Sequence, residues 1–111
     1  MNIEKEKIQN FTVLKIKGRV DTINSINLEA EMNSMFERGE KHFIFNCSEM
    51  NYISSSGLRV FLVAQKKVIA QKGKLFLCDL QPSIREIFRI SGFSNLFRIY
   101  KTQEEIPVPG N

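Results

Sequence analysis

The sequence has no tryptophan, one histidine, two cysteines and three prolines in 111 residues. Each scarcity excludes something. His42 is the only imidazole, and Cys47 and Cys78 match no metal-ligand spacing, so no metal site and no cofactor are expected. Each cysteine sits inside an apolar run, where a free thiol behaves as a small buried hydrophobe, so no disulfide is expected. No apolar run approaches the roughly 20 residues that span a bilayer. The stretch Met1-Asn2-Ile3-Glu4-Lys5-Glu6-Lys7 lacks the apolar core and cleavage pattern of a secretory leader. A cytoplasmic protein with no membrane association is the expectation.

Blocks of one charge are also missing. The formal net charge is +4, but the basic residues are dispersed among acids. The densest group, Lys66-Lys67 with Lys72 and Lys74, fits a solvated helix face and the turn after it. Direct nucleic-acid binding would want a longer basic stripe or aromatic stacking platforms, and is not expected. A dispersed positive charge suits an acidic protein partner instead.

What is present is enough apolar material for one domain. The chain is 42% hydrophobic and 25% charged. A domain of this length buries roughly two thirds of the surface its unfolded form exposes, without a staple. Residues Phe11 to Lys17 alternate as a strand does, paired with the residues around Ile3 to Ile8. Leu28, Met32, Met35 and Phe36 recur at helical spacing from about Ser25 to Arg38, and Gly39 supplies a stop. His42 to Cys47 is a short, nearly continuous apolar run, the pattern of a strand covered on both faces. A polar connection then leads to Tyr52-Ile53 and three serines.

Behind the serines lies the strongest helical pattern, with Leu58, Phe61, Leu62, Gln65, Val68 and Ile69 on one side and Gly73 as its stop. Lys74 to Asp79 is a second buried strand, Pro82 opens a third helix ending at Gly92, and Phe97 to Tyr100 is a last short strand. The order predicts an α/β fold, a mixed β-sheet with largely parallel central strands packed by α-helices. Sites in such sheets form beyond the carboxyl ends of the strands. Asp21 and the serines both fall where strand gives way to helix.

Ser54-Ser55-Ser56-Gly57 precedes a helix whose first N–H groups lack intrahelical partners, so a serine oxygen can cap them, contributing about 1 kcal/mol. Gly57 permits a close approach. That helix end also favours an anion, and a phosphoryl group on one serine would add about −1.5 to −2 charges there. The bland reading, a cap, stands beside the functional one, a switch. A hydrolase nucleophile is a third reading. It would need His42 as its base, from the start of a strand at the opposite sheet end, and the glycine two residues before the serine is missing. No catalytic residue is assigned.

Several strings together resemble one family. Leu14-Lys15-Ile16-Lys17-Gly18-Arg19-Val20-Asp21 resembles the strand and Gly-x-hydrophobic-Asp turn of the anti-sigma factor antagonists, or STAS domains. Phe43 to Ser48, then Met50, Tyr52 and Ile53, resembles the family's central strand and its lead into the motif Asp-Ser-Ser-Gly-Leu. That motif looks like Ser54-Ser55-Ser56-Gly57-Leu58 here. Gly73 to Leu77 and Pro82 through Ile90-Ser91-Gly92-Phe93 complete the likeness, which spans about residues 3 to 103. The expected domain is therefore 1–103, with 104–111 a short flexible or briefly helical tail.

The resemblance implies a STAS-like fold and a regulatory cycle. An anti-sigma factor that is also a serine kinase, of the histidine-kinase-like ATPase type, would bind this chain and release its sigma factor. Phosphorylation of the serine two before the glycine, Ser55, would break the complex, and a metal-dependent phosphatase would restore it. Asp21, Asn46, Ser54, Ser56 and Gly57 would line the docking surface. Two positions depart from the family: its usual Asp before the serines is Ser54, and another frequent Asp is Asn46. Either both keep the same local hydrogen bonds without charge, or the kinase-facing surface is less acidic and this kinase differs. The rival reading is a scaffold or adaptor of the same fold, binding its partner without a phospho-switch.

Overall fold

Apolar runs that switch between strand and helix periodicity must stack helices on a sheet. The computed structural model, which describes residues 1–108, has that arrangement. In chain order the elements are β1 (Asn2–Ile8), β2 (Phe11–Val20), α1 (Asn24–Glu37), β3 (His42–Asn46), β4 (Met50–Ile53), α2 (Ser55–Ala70), β5 (Lys74–Cys78), α3 (Pro82–Ile90) and β6 (Arg98–Tyr100). Short 3-10 turns at Phe93–Asn95 and Gln103–Glu105 follow α3 and β6.

β1 and β2 form the expected antiparallel hairpin, with Ile3 opposite Ile16. All other pairings are parallel, in the order β1-β2-β3-β5-β6. β2 is long enough to serve two partners on one side. β3 runs beside Thr12 to Lys15; after the left-handed Gly18 (φ 85°) the register shifts, and β4 takes the place beside Arg19 and Val20. The polar connection expected after Cys47 is thus interrupted by a strand. β4 has only four residues, with just the first and last buried, too short for alternation to reveal it.

All three helices cover one face, where Leu14, Ile16, Phe43 and Phe45 meet Leu28 and Met32 of α1, Phe61 of α2 and Phe88 of α3. The other face has a smaller core of Phe11, Val13, Ile44 and Phe76, closed by Ile106, which is 6% exposed. This explains the continuous apolar run of β3: alternate residues serve opposite cores. Ile106 reaches its place through the turn at Gln103–Glu105, so the stretch expected as a tail from 104 contributes to packing. Positions 109–111 of that tail lie outside the described residues.

Cys47 and Cys78 are free and buried, one in each core. Burial pushes both thiols far above their ordinary range, with Asp79 adding to the effect, so neither is a ready nucleophile. Gly39 (φ 84°) ends α1 as expected. The stop of α2 differs: Lys72 takes the left-handed position (φ 59°), and Gly73 has another task. A Cβ at Gly73 would lie 1.9 Å from the Lys41 carbonyl oxygen, so the residue permits two backbones to touch.

Candidate functional site

β2 and β4 end side by side, and each turns at once into a helix. The Ser54 N–H donates to the Val20 carbonyl at 2.8 Å, which ties the two turns together. Ser54 is extended (φ −83°, ψ 170°) and its Oγ accepts from the Gly57 N–H at 3.1 Å, while its carbonyl accepts from Leu58 N–H at 2.9 Å. It is the N-cap of α2 and is buried. Ser55 and Ser56 are therefore the first two helical residues. Ser56 is half-buried; Ser55 is exposed, and no hydrogen bond within the described residues occupies its hydroxyl. Gly57 faces the sheet. A Cβ there would stand 2.8 Å from Ile53 Cγ1 and from Val20 Cγ1, so its missing side chain lets α2 start hard against β2 and β4.

Asp21 performs the matching task for α1. One carboxylate oxygen accepts from Asn24 N–H at 2.8 Å, and its carbonyl accepts from Ser25 N–H at 2.9 Å. Helical hydrogen bonding thus begins at Asp21, and the carboxylate the sequence offers to a partner already serves as a cap. Between the two helix starts runs a groove of about 200 Å³ lined by Ser25, Ile26, Glu29, Ser56, Arg59 and Val60, among others.

Of the expected docking residues, the structure brings together Asp21, Ser54, Ser56 and Gly57, with the expected phosphate acceptor Ser55 among them. It does not bring Asn46. Asn46 pairs in register with Lys15, five residues before Val20, which places it about 17 Å back along the strand. Its amide is occupied locally, donating to Gln103 Oε1 at 2.8 Å and accepting from Ser48 N–H at 3.0 Å. It shares its side of β3 with Ile44, facing the helix-free side, because side chains alternate along a strand. At both departures from the family, Ser54 and Asn46, the side-chain oxygen accepts a local backbone N–H.

His42 begins β3 at the far end of the sheet, four more residues back, so it forms no base for any of the serines. Among the described residues no group of His, Cys, Asp or Glu is disposed to hold a metal ion, and no helix is long and apolar enough to cross a membrane.

The structure adds surface residues that the sequence reading left out. Ile23 and Ile26, at the start of α1, are 76% and 66% exposed. They fall off the Leu28–Met32–Met35 stripe, which was the available signal. The Arg19 guanidinium lies over the exposed Tyr52 ring, 4.2 Å from its centroid. Arg59, exposed, stands one helical turn beyond Ser55.

A family model, the STAS domain, matches residues 2–106. The chain belongs to the STAS domain family. Among curated relatives of this STAS domain, the BtrV protein of Bordetella bronchiseptica, described as an anti-sigma factor antagonist, is 36% identical over 94% of this chain and 90% of its own length. Among solved structures, an anti-sigma factor antagonist from Thermotoga maritima superposes with a TM-score of 0.88 at 14% identity, covering 93% of this chain and 89% of its own. The Bacillus protein SpoIIAA in its phosphorylated form superposes with a TM-score of 0.73 at 20% identity, covering 93% of this chain and 95% of its own. At these identities the structures speak for the fold alone.

Proposed function

We propose that this STAS domain is an anti-sigma factor antagonist that docks an anti-sigma factor against the paired starts of α1 and α2, and that phosphorylation of Ser55 releases it. One observation carries the assignment to Ser55. Of three adjacent serines, Ser54 is buried and spent on the cap and Ser56 is half-buried in the groove, while Ser55 alone is exposed, its hydroxyl unoccupied among the described residues. The name of the BtrV protein and the phosphorylated state of SpoIIAA support the same reading.

The chemistry belongs to the partner. An anti-sigma factor with serine kinase activity supplies ATP and metal. The Ser55 oxygen attacks the γ-phosphorus, the bond to ADP breaks, and the hydroxyl proton leaves to a base on the kinase. Ile23 and Ile26 offer the apolar contact area, and a phosphodianion placed beside them makes that contact costly to desolvate. A metal-dependent phosphatase hydrolyses the ester and restores docking.

Incubation with the cognate kinase and labelled ATP is expected to label the protein, and Ser55→Ala to abolish the label. Full labelling of Ser55→Ala would remove Ser55 from this role. A partner that binds wild type and Ser55→Asp equally would favour the adaptor reading instead.

A further inference from the structure

Arg59 follows Ser55 by four residues in α2, the spacing at which helix side chains become neighbours. Both residues are exposed. Within the described residues the Arg59 guanidinium enters no ion pair, hydrogen bond or ring contact. The nearby carboxylates do not claim it: Glu29 lines the same groove without reaching ion-pair distance, and Asp21 holds the Asn24 N–H. The cap residue Ser54 is neutral, so nothing anionic in the α2 turn competes with a new charge on Ser55.

We propose that Arg59 is the cation that holds a phosphoryl group on Ser55, so that phosphorylation withdraws Arg59 from the docking surface as well as adding negative charge to it. The inference rests on Ser55 being the acceptor. A guanidinium presents paired N–H donors that match two phosphate oxygens, and an anion four residues N-terminal to a cation is the favourable order on a helix. The unmodified surface therefore offers a free cation beside Ile26 to an acidic group on the partner. The phosphorylated surface offers a closed ion pair. Release follows from loss of that cation together with the added charge.

The test places phosphoserine at position 55 during translation, so no kinase is needed. The second ionisation of the phosphoryl group is then followed by phosphorus NMR against pH in otherwise wild-type protein, Arg59→Gln and Arg59→Lys. The ordinary value is about 6. With Arg59 it is expected about 0.15 to 0.4 lower than in Arg59→Gln, with Arg59→Lys between them, and the difference should shrink in about 1 M salt. Identical titrations in all three proteins would overturn the clamp. Failure of the kinase to label Ser55 is a separate result. It would count against Ser55 as acceptor and leave these titrations as they stand.

Discussion

The two ends of the parallel strands are built from opposite materials. At the carboxyl end, β2 and β4 deliver the chain into helix starts, whose free N–H groups call for oxygen acceptors; Asp21 and Ser54 supply them. At the amino end, β3 and β5 receive the chain after α1 and α2, and Lys41, His42, Gly73 and Lys74 gather there. One end is rich in small oxygen-bearing side chains, the other in cations and close backbone contact. The difference teaches which polar groups carry information. Most polar atoms at the carboxyl end are spent on starting helices, so the Ser55 hydroxyl and the Arg59 guanidinium stand out because the fold does not use them.

The sharpest way to break the comparison is through its two glycines. At the amino end, Gly73→Ala sets a Cβ 1.9 Å from a backbone oxygen of Lys41, which cannot rotate away. We expect a loss of about 3 kcal/mol in urea unfolding, the upper range for overpacking. At the carboxyl end, Gly57→Ala meets the γ-carbons of Val20 and Ile53 at 2.8 Å and the Val20 carbonyl oxygen no closer than 3.3 Å, and alanine returns about 1 kcal/mol of helix propensity. A net loss of about 1 to 2 kcal/mol is expected. Equal losses at the two positions would mean that α2 is seated as tightly on β2 and β4 as on its own stop.

A smaller contrast separates neighbours. Ser54→Ala and Asp21→Ala each remove a cap and should cost about 1 kcal/mol in the same measurement. Ser55→Ala removes a hydroxyl with no partner among the described residues and should stay within about 0.5 kcal/mol of wild type, while abolishing labelling by the kinase. A Ser55→Ala variant as destabilised as Ser54→Ala would show the hydroxyl to be structural.

Much of this was legible in the sequence, for identifiable reasons. The hairpin, the buried β3 and β5 and the three helices each carry their own periodicity, and Pro82 and Gly39 mark boundaries locally. β4 does not: its four residues become a strand only because β2 is longer than β3 and leaves Arg19 and Val20 to be paired. Gly73 looked like a helix stop because its real constraint, the Lys41 carbonyl, comes from another connection. Asn46 looked like part of the site because the resemblance sets it where the family often has Asp, at the end of its central strand. Only the registers show that β4 extends that row, leaving Asn46 behind on the helix-free side. The Ser55–Arg59 spacing was in plain view, but it gained meaning once Asp21 and Ser54 were found engaged.

The least expected effect belongs to the amino end, where His42 tests whether cations there shape stability. Among the described residues its Nδ1 is buried without a hydrogen-bond partner, and the ring lies 5.3 Å from that of Phe11. Burial, and then Lys41, Lys74 and Lys7, hold its pKa below the ordinary value of 6.5 in the folded protein. The unfolded chain therefore binds the proton first as pH falls. Stability should be unaffected by this group above the unfolded value, decline as pH drops through about 6.5, and level off below the lower folded value. Glu40, whose pKa is lowered, begins to matter only further down, near the ordinary carboxylate value of 4.5. Thermal unfolding between pH 7.5 and 5.5 should show a decline in wild type that His42→Gln lacks. A parallel decline in both proteins would place the sensitivity elsewhere, while a rise in wild type would mean that the folded ring prefers the proton despite its three lysines.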